Sequence, residues 1–413
     1  MLQNPSSFRT KLIPIITLSL LMTLSLAWRI GAPSDIDDNE QPLTLSQFYD
    51  AAMHGHWLIQ FNPFEGLSTK PPFYHWIGAG LYMLTGLTSE WGLKLASILP
   101  WVVTTALVIA MARTCLPWRT AMLAGGLWVA NFHTVKLGYT ARPDMAMAML
   151  MSVALLMMLI QRPLWQYQPL QSCDRGKYWT CWVIFWLASA LAGLTKGPPA
   201  LIVSGLMLLL LFWDRAWRRP HHWLFGIGLV TGVGLCVAWV WLTLKQYPQW
   251  NDVLDHELWD KLTGESTNTK QYPPRWRQIH YFMGRFFPWS LLVVAGMILL
   301  PWWRRPARGE QAVLNVDESC SPNDSANHLA RAVSWAVFWV LIVLLLLAIP
   351  KGRRADHILP VHVGASIVAA AVVELATRRH KQAMILTVVV IAGVLLTAAG
   401  YAIAATFWLP GPT

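Results

Sequence analysis

The chain has 413 residues, 55% of them hydrophobic and only 13% charged, with a formal net charge of +11. A soluble domain is nearer a quarter charged, so most of the mass is expected among membrane lipids, which excludes an ordinary soluble globule. Nucleic acid is not an expected partner, because no basic run is interleaved with aromatics on a polar segment.

In lipid each backbone polar group must be satisfied internally, so the apolar runs must be helices. The fold class is therefore all-α and polytopic, with about eleven transmembrane helices. In chain order the spans are predicted near 11–28, 90–112, 120–136, 143–161, 177–194, 197–212, 221–244, 282–303, 331–349, 357–376 and 381–408. The first span ends on Ser25-Leu26-Ala27, which resembles a cleavage site, but it is read as a retained helix. The 25 Trp fit interfacial aromatic belts. One membrane domain over residues 1–413 is expected, without a soluble C-terminal domain.

The clearest basic connectors are Arg113 with Arg119, Arg215 to Arg219, Arg304 to Arg308, and Arg378 to Lys381. The positive-inside rule puts all four on the cytoplasmic side. The apolar stretch 73–87 is short for a span, and counting it as one would move Arg113 outside. It is read as an interfacial or re-entrant helix within a long first outer loop, 29–89. Residues 304–330 are read as a mobile cytoplasmic loop.

Against this topology some polar residues need explaining. Lys196 and Lys351-Gly352-Arg353-Arg354 fall on the outer side and break the charge rule. An anionic ligand such as a phosphate would explain them, as would lipid headgroups or a carboxylate such as Asp356. The first outer loop opens with Asp35, Asp37, Asp38 and Glu40, mostly a solvated run, and Asp144 sits at the mouth of a span. Asp144 could cap its helix, or acids and cations from separate outer loops could converge on a phosphorylated ligand. Pro71 and Pro72 fix the chain after Lys70, which could snorkel or bind a ligand.

The five Cys form no CxxC spacing and are expected to be free thiols. The histidines form no HExxH motif, and His54 and His56 lie two apart with no third ligand evident, so they are expected to be packed or interfacial.

Several motifs then occur in one order: Gly55-His56-Trp57, Lys70-Pro71-Pro72-Phe73-Tyr74-His75-Trp76, Arg142-Pro143-Asp144, Leu194-Thr195-Lys196-Gly197, Phe286-Phe287-Pro288-Trp289-Ser290, and Lys351-Gly352-Arg353-Arg354 followed by His357-Ile358-Leu359-Pro360. This ordered set resembles the GT-C membrane glycosyltransferases related to the aminoarabinose transferase of lipid A and to the protein O-mannosyltransferases. It covers about residues 10–375.

The resemblance implies a polyprenyl-phosphate sugar as donor and a hydroxyl acceptor on a lipid, glycan or protein. Transfer would take place on the outer face, here the periplasmic face of a bacterial inner membrane. It implies a first-loop acid, Glu40 by its spacing from Trp57 or else Asp38, that accepts the acceptor proton or orients the hydroxyl. Asp144 would orient acceptor or donor, and Lys70, Arg142, Lys196, Lys351, Arg353 and Arg354 would hold the donor phosphate. The chain departs from the family at Asn39, within Asp38-Asn39-Glu40. It also has Thr69 and Gln271 where the aminoarabinose transferases carry a metal-associated acid and His, so no metal or other cofactor is expected. Two rival readings are a transporter or flippase of a lipid-linked sugar and a catalytically degenerate member of the same fold. A transporter would place ionisable residues near the midplane, whereas here they cluster at helix ends.

Overall fold

The computed structural model describes residues 5–27, 36, 40–63, 66–86, 90–114, 116–166, 172–197, 205, 222–255, 276–303, 322–348 and 355–377. The expected all-α class holds: among these residues the sole sheet is a short antiparallel hairpin, β1 (Phe61–Asn62) with β2 (Gly66–Leu67). The helices are α1 (Pro5–Ala27), α2 (Glu40–His54), α3 (Phe73–Thr85), α4 (Glu90–Arg113), α5 (Trp118–Val129), α6 (Phe132–Tyr139) and α7 (Pro143–Gln166). They continue as α8 (Ser172–Lys196), α9 (His222–Gln246), α10 (Trp250–Leu254), α11 (Arg277–Arg285), α12 (Trp289–Trp303), α13 (Pro322–Leu347) and α14 (Leu359–Thr377), the last entered by a 3₁₀ turn, Ala355–Ile358.

Among the described residues, four segments are long and apolar enough to cross a bilayer: Gly92–Arg113, Pro143–Ile160, Trp179–Lys196 and Asp356–Ala376. A bent pair, Arg277–Arg285 with Trp289–Ile298, turned by 119°, makes a fifth if the two helices count as one span. Shorter apolar helices, Pro14–Leu26, Val230–Gln246 and Ser334–Leu347, coincide with three more predicted spans. The predicted span at 381–408, and that at 197–212 apart from residues 197 and 205, lie outside the described residues.

Two predicted spans are broken, each for a local reason. Within 120–136 the helix stops after Val129 and restarts at Phe132. Asn131 takes an extended conformation, and its side chain accepts from Thr134 N–H at 3.1 Å, so it caps a new helix. Within 282–303, Pro288 has no N–H to continue the ladder from α11 into α12.

Lipid tails are as apolar as leucine, so burial from water does not hold such helices together, and close packing of small residues does. The middle of the bundle follows this rule. α14 buries Ala369, Ala370 and Ala371 and packs against α5, α12 and α13. The Trp339 indole of α13 donates to the carbonyl of Pro360 at 3.0 Å. Val102, Val103, Val183, Leu187, Leu341 and Leu345 are exposed, as lipid-facing residues should be.

The helices α2 and α3 stand beside this bundle, and α3 covers most of the stretch 73–87 that was read as an interfacial or re-entrant helix. Phe48 of α2, Tyr74 of α3, Ala96 of α4 and Ala146 of α7 form one buried cluster. The α2–α3 approach depends on Gly78, where an added Cβ would lie 2.4 Å from the Phe48 ring. The hairpin is tied to the later loop by Trp250, whose indole donates to the Ser68 carbonyl at 3.0 Å. Trp239 does the same to Leu58 at 2.9 Å.

Candidate active site

Helix ends from distant parts of the sequence meet at one end of the bundle. Asp144 opens α7, Lys196 closes α8, Asp356 lies in the turn before α14, and His133 lies in the first turn of α6. Asp144 is almost wholly buried and forms an ion pair with Lys196, Nζ to Oδ1. Arg142 Nη1 donates to Asp356 Oδ2 at 2.7 Å, and His133 Nε2 lies 3.1 Å from Asp356 Oδ1. The two groups share one field: the charge of Asp356 acts on Asp144, and that of Lys196 on Asp356. At low effective dielectric such neighbours interact strongly, so the cluster is one electrostatic unit.

Backbone anchors hold its members in place. Arg142 N–H and C=O both meet Ser97 Oγ, at 3.4 and 3.2 Å, and that hydroxyl pairs with Tyr74 OH at 2.6 Å. Asn131 Nδ2 donates to the Arg285 carbonyl at 2.9 Å, which ties α6 to α11. Gln41, in the first turn of α2, accepts from Ala141 N–H at 3.0 Å and is buried. The start of the first-loop helix is thereby docked three residues from Asp144.

Of the predicted site residues, Arg142, Asp144 and Lys196 are brought together. Glu40 is the first residue of α2, next to Gln41. Lys70 sits in the turn before α3, where its N–H donates to Ser68 Oγ at 3.1 Å. Asp38, Lys351, Arg353 and Arg354 lie outside the described residues. Lys196 and Arg142, expected to face a phosphate, are each already paired with a carboxylate. An ammonium offers three donors and a guanidinium five, so pairing with one carboxylate leaves capacity for an anion.

Sequence reasoning underused Asp356, His133 and Arg285. Asp356 was weighed only as a carboxylate pairing with Lys196 or the basic run 351–354, yet among the described residues its hydrogen-bond partners are Arg142 and His133. His133, expected to be packed or interfacial, is fully buried and faces the cluster, and the Arg285 charge reaches it. The Phe286 ring packs against His362 at a tilt of 35°, with centroids 4.8 Å apart, and His362 in turn meets His133 at 5.2 Å. Phe286 of the Phe-Phe-Pro motif therefore backs His133 through His362.

Outside the spans, burial pushes the His75 imidazole down to about 3, helped by the Lys70 charge and opposed by the Pro71 carbonyl. Burial also raises the Tyr74 phenol, and its bond to Ser97 opposes this. Both groups are therefore neutral at physiological pH.

Cys181 and Cys236 are free, as expected. The expectation that His54 and His56 have no third ligand nearby is corrected: Asp50 lies against both. α2 brings Asp50 and His54 onto one face, and the turn at Gly55 returns His56 to it. At the family's metal-associated positions, Thr69 offers only a hydroxyl, a weak ligand for a transition metal, and Gln271 lies outside the described residues.

The family model for dolichyl-phosphate-mannose-protein mannosyltransferase matches residues 69–241, less than half of the chain. No curated protein matches the chain in sequence. ArnT from Cupriavidus metallidurans bound to undecaprenyl phosphate superposes with a TM-score of 0.67 at 20% identity, covering 95% of this chain and 65% of that one. The archaeal oligosaccharyltransferase AglB from Archaeoglobus fulgidus, in complex with an inhibitory peptide and a dolichol-phosphate, gives 0.53 at 13% identity, covering 94% of this chain and 54% of that one. The chain thus spans 65% or less of the length of these relatives. The resemblance read from the ordered motifs is borne out as a likeness: the fold is similar to those of ArnT and AglB, and the mannosyltransferase family model matches residues 69–241.

Proposed function

We propose that the chain is a glycosyltransferase that moves a sugar from a polyprenyl-phosphate donor to a hydroxyl on a lipid, glycan or protein. The observation that carries this reading is the joining of Lys196–Asp144 to Arg142–Asp356–His133 at one end of the bundle, with the start of α2 docked beside it. In the reaction the bond from sugar C1 to the phosphate oxygen breaks as the acceptor oxygen bonds to C1. The acceptor proton passes to Glu40, or to Asp38. The polyprenyl phosphate leaves with its electron pair, and negative charge grows on it. Cations already fixed in place stabilise that charge without reorganising at the moment of reaction. Asp144 and Asp356 hold Lys196 and Arg142 in this way, and Lys70, Lys351, Arg353 and Arg354 are the further cations that would act on the same phosphate. Asp144 would also orient donor or acceptor.

We place the site end on the periplasmic side of a bacterial inner membrane. The support is that Arg113 and Arg119 belong to the opposite end. There Thr120 Oγ1, beside Arg119, donates to Glu374 Oε2 at 2.5 Å, near the C-terminus of α14. The positive-inside rule assigns that end to the cytoplasm.

The test is purified, reconstituted protein supplied with a panel of polyprenyl-phosphate sugars and candidate acceptors. Release of polyprenyl phosphate together with a glycosylated acceptor is expected for one donor. Donor movement across vesicles without cleavage would replace the enzyme by a transporter.

A further inference from the structure

The end of α2 carries a cluster that the proposed transfer does not use. Asp50 is buried, and His54 is four residues further along the same helical face. The helix ends at Gly55, whose φ of +73° is strained for any residue with a Cβ. The chain turns there, and His56 comes back to the same carboxylate. His54 Nδ1 lies 3.0 Å and His56 Nδ1 2.9 Å from Asp50 Oδ1. The three ligand atoms all fall within 4.8 Å of one another.

These spacings suit a metal ion. Bond lengths of about 2.1 Å to imidazole nitrogen and carboxylate oxygen separate neighbouring ligand atoms by about 3.0 Å at right angles and about 3.4 Å in a tetrahedron, so small side-chain shifts bring these three onto one ion. Two imidazoles and one carboxylate form the donor set of first-row divalent ions and leave coordination positions open. The second carboxylate oxygen, Asp50 Oδ2, accepts from Phe61 N–H at 2.8 Å. Such a bond orients a metal-binding carboxylate. All three residues fall within one short stretch, so ordering them closes only a small loop. The His54 side chain is 57% exposed and that of His56 36%, which gives an ion a path in.

We propose that Asp50, His54 and His56 form a binding site for a divalent first-row transition-metal ion such as Zn²⁺. The ion would clamp the end of α2 onto the hairpin. Gln47, one turn earlier, donates to Asn62 Oδ1 at 2.5 Å and to Ser68 Oγ at 3.1 Å, and that hydroxyl accepts from Lys70 N–H. The metal would therefore steady the platform that carries Lys70, whatever reaction the chain performs.

The test is calorimetric titration of the purified full chain, with any tag removed and stripped of metal, using Zn²⁺ alone. One saturable site per chain is expected, together with a rise in melting temperature. His54→Ala and His56→Ala should each weaken binding more than about tenfold. The double variant His54→Gln/His56→Gln keeps groups able to hydrogen-bond Asp50. It should melt normally without metal and show no rise with Zn²⁺. Mg²⁺ and Ca²⁺, which select oxygen ligands, should not compete. Zn²⁺ binding unchanged in the double variant, no saturable binding by the native chain, or equal occupancy by Mg²⁺ would each overturn the proposal.

Discussion

The ion pair between Asp144 and Lys196 can be broken from either side, and the two breaks should differ. Side-chain exposure is only 3% for Asp144 and 15% for Lys196. Removing the cation by Lys196→Ala leaves a buried carboxylate without its main partner, which typically costs about 3–5 kcal/mol. Unfolding entropy scales with length at roughly 2.1 cal/mol/K per residue, so a chain of this size loses about 3–6 °C in melting temperature. Asp144→Asn keeps the shape and leaves Lys196 closer to solvent, so its cost is smaller. The double variant Asp144→Asn/Lys196→Ala should recover part of the loss, because the stranded charge has gone. The assay is a melt of the four proteins in one detergent, read as a double-mutant cycle. If the Lys196→Ala and Asp144→Asn losses simply add, the pair is not coupled and the reasoning fails.

Arg142→Lys should keep only part of the native activity, since a point charge cannot reproduce the guanidinium fork, while Arg142→Ala loses about 1.5–3 kcal/mol of charge-assisted bonding; steady-state transfer rates, taken after confirming folding, separate the two. His75 is neutral when folded down to about pH 3 but takes up a proton near 6.5 when unfolded. Its contribution is therefore full above pH 6.5 and is lost as pH falls toward 3, amounting to about 2 kcal/mol by pH 5. Melts of native and His75→Gln proteins at pH 7 and pH 5 should show a smaller acid-induced drop in the variant, and equal drops would exclude His75 as the source. Gly78→Val should separate α2 from α3, because even a Cβ there meets the Phe48 ring at 2.4 Å; protease sensitivity of residues 40–86 should rise, and an unchanged digest would contradict the packing.

Much of the fold was legible because a bilayer leaves few solutions for an apolar run, and period and length alone placed most helices. The breaks at Asn131 and Pro288 were missed in the span boundaries, although each carries a local signal, a capping side chain and a missing N–H. Lys196 stood out because it breaks the charge rule on the outer side, Asp144 because it sits at the mouth of a span, and Arg142 through the ordered motif Arg142-Pro143-Asp144. Asp356 and His133 did not, since pairing between residues 223 positions apart leaves no local trace. Asp50 was passed over for a different reason. It reads as an ordinary acid within an amphipathic helix, and only the left-handed turn at Gly55 brings His56 back to it.

The central claim is that the first-loop acid and the cation cluster together transfer a sugar from a polyprenyl phosphate. The most direct measurement is the stoichiometry of a reconstituted reaction, counting polyprenyl phosphate released against acceptor glycosylated, in native protein and in Glu40→Gln and Asp38→Asn. The native protein should give one release per transfer. One of the two variants, Glu40→Gln by the spacing from Trp57, should lose turnover while still binding donor. Full turnover in both variants, or release with no glycosylated acceptor, would contradict the account.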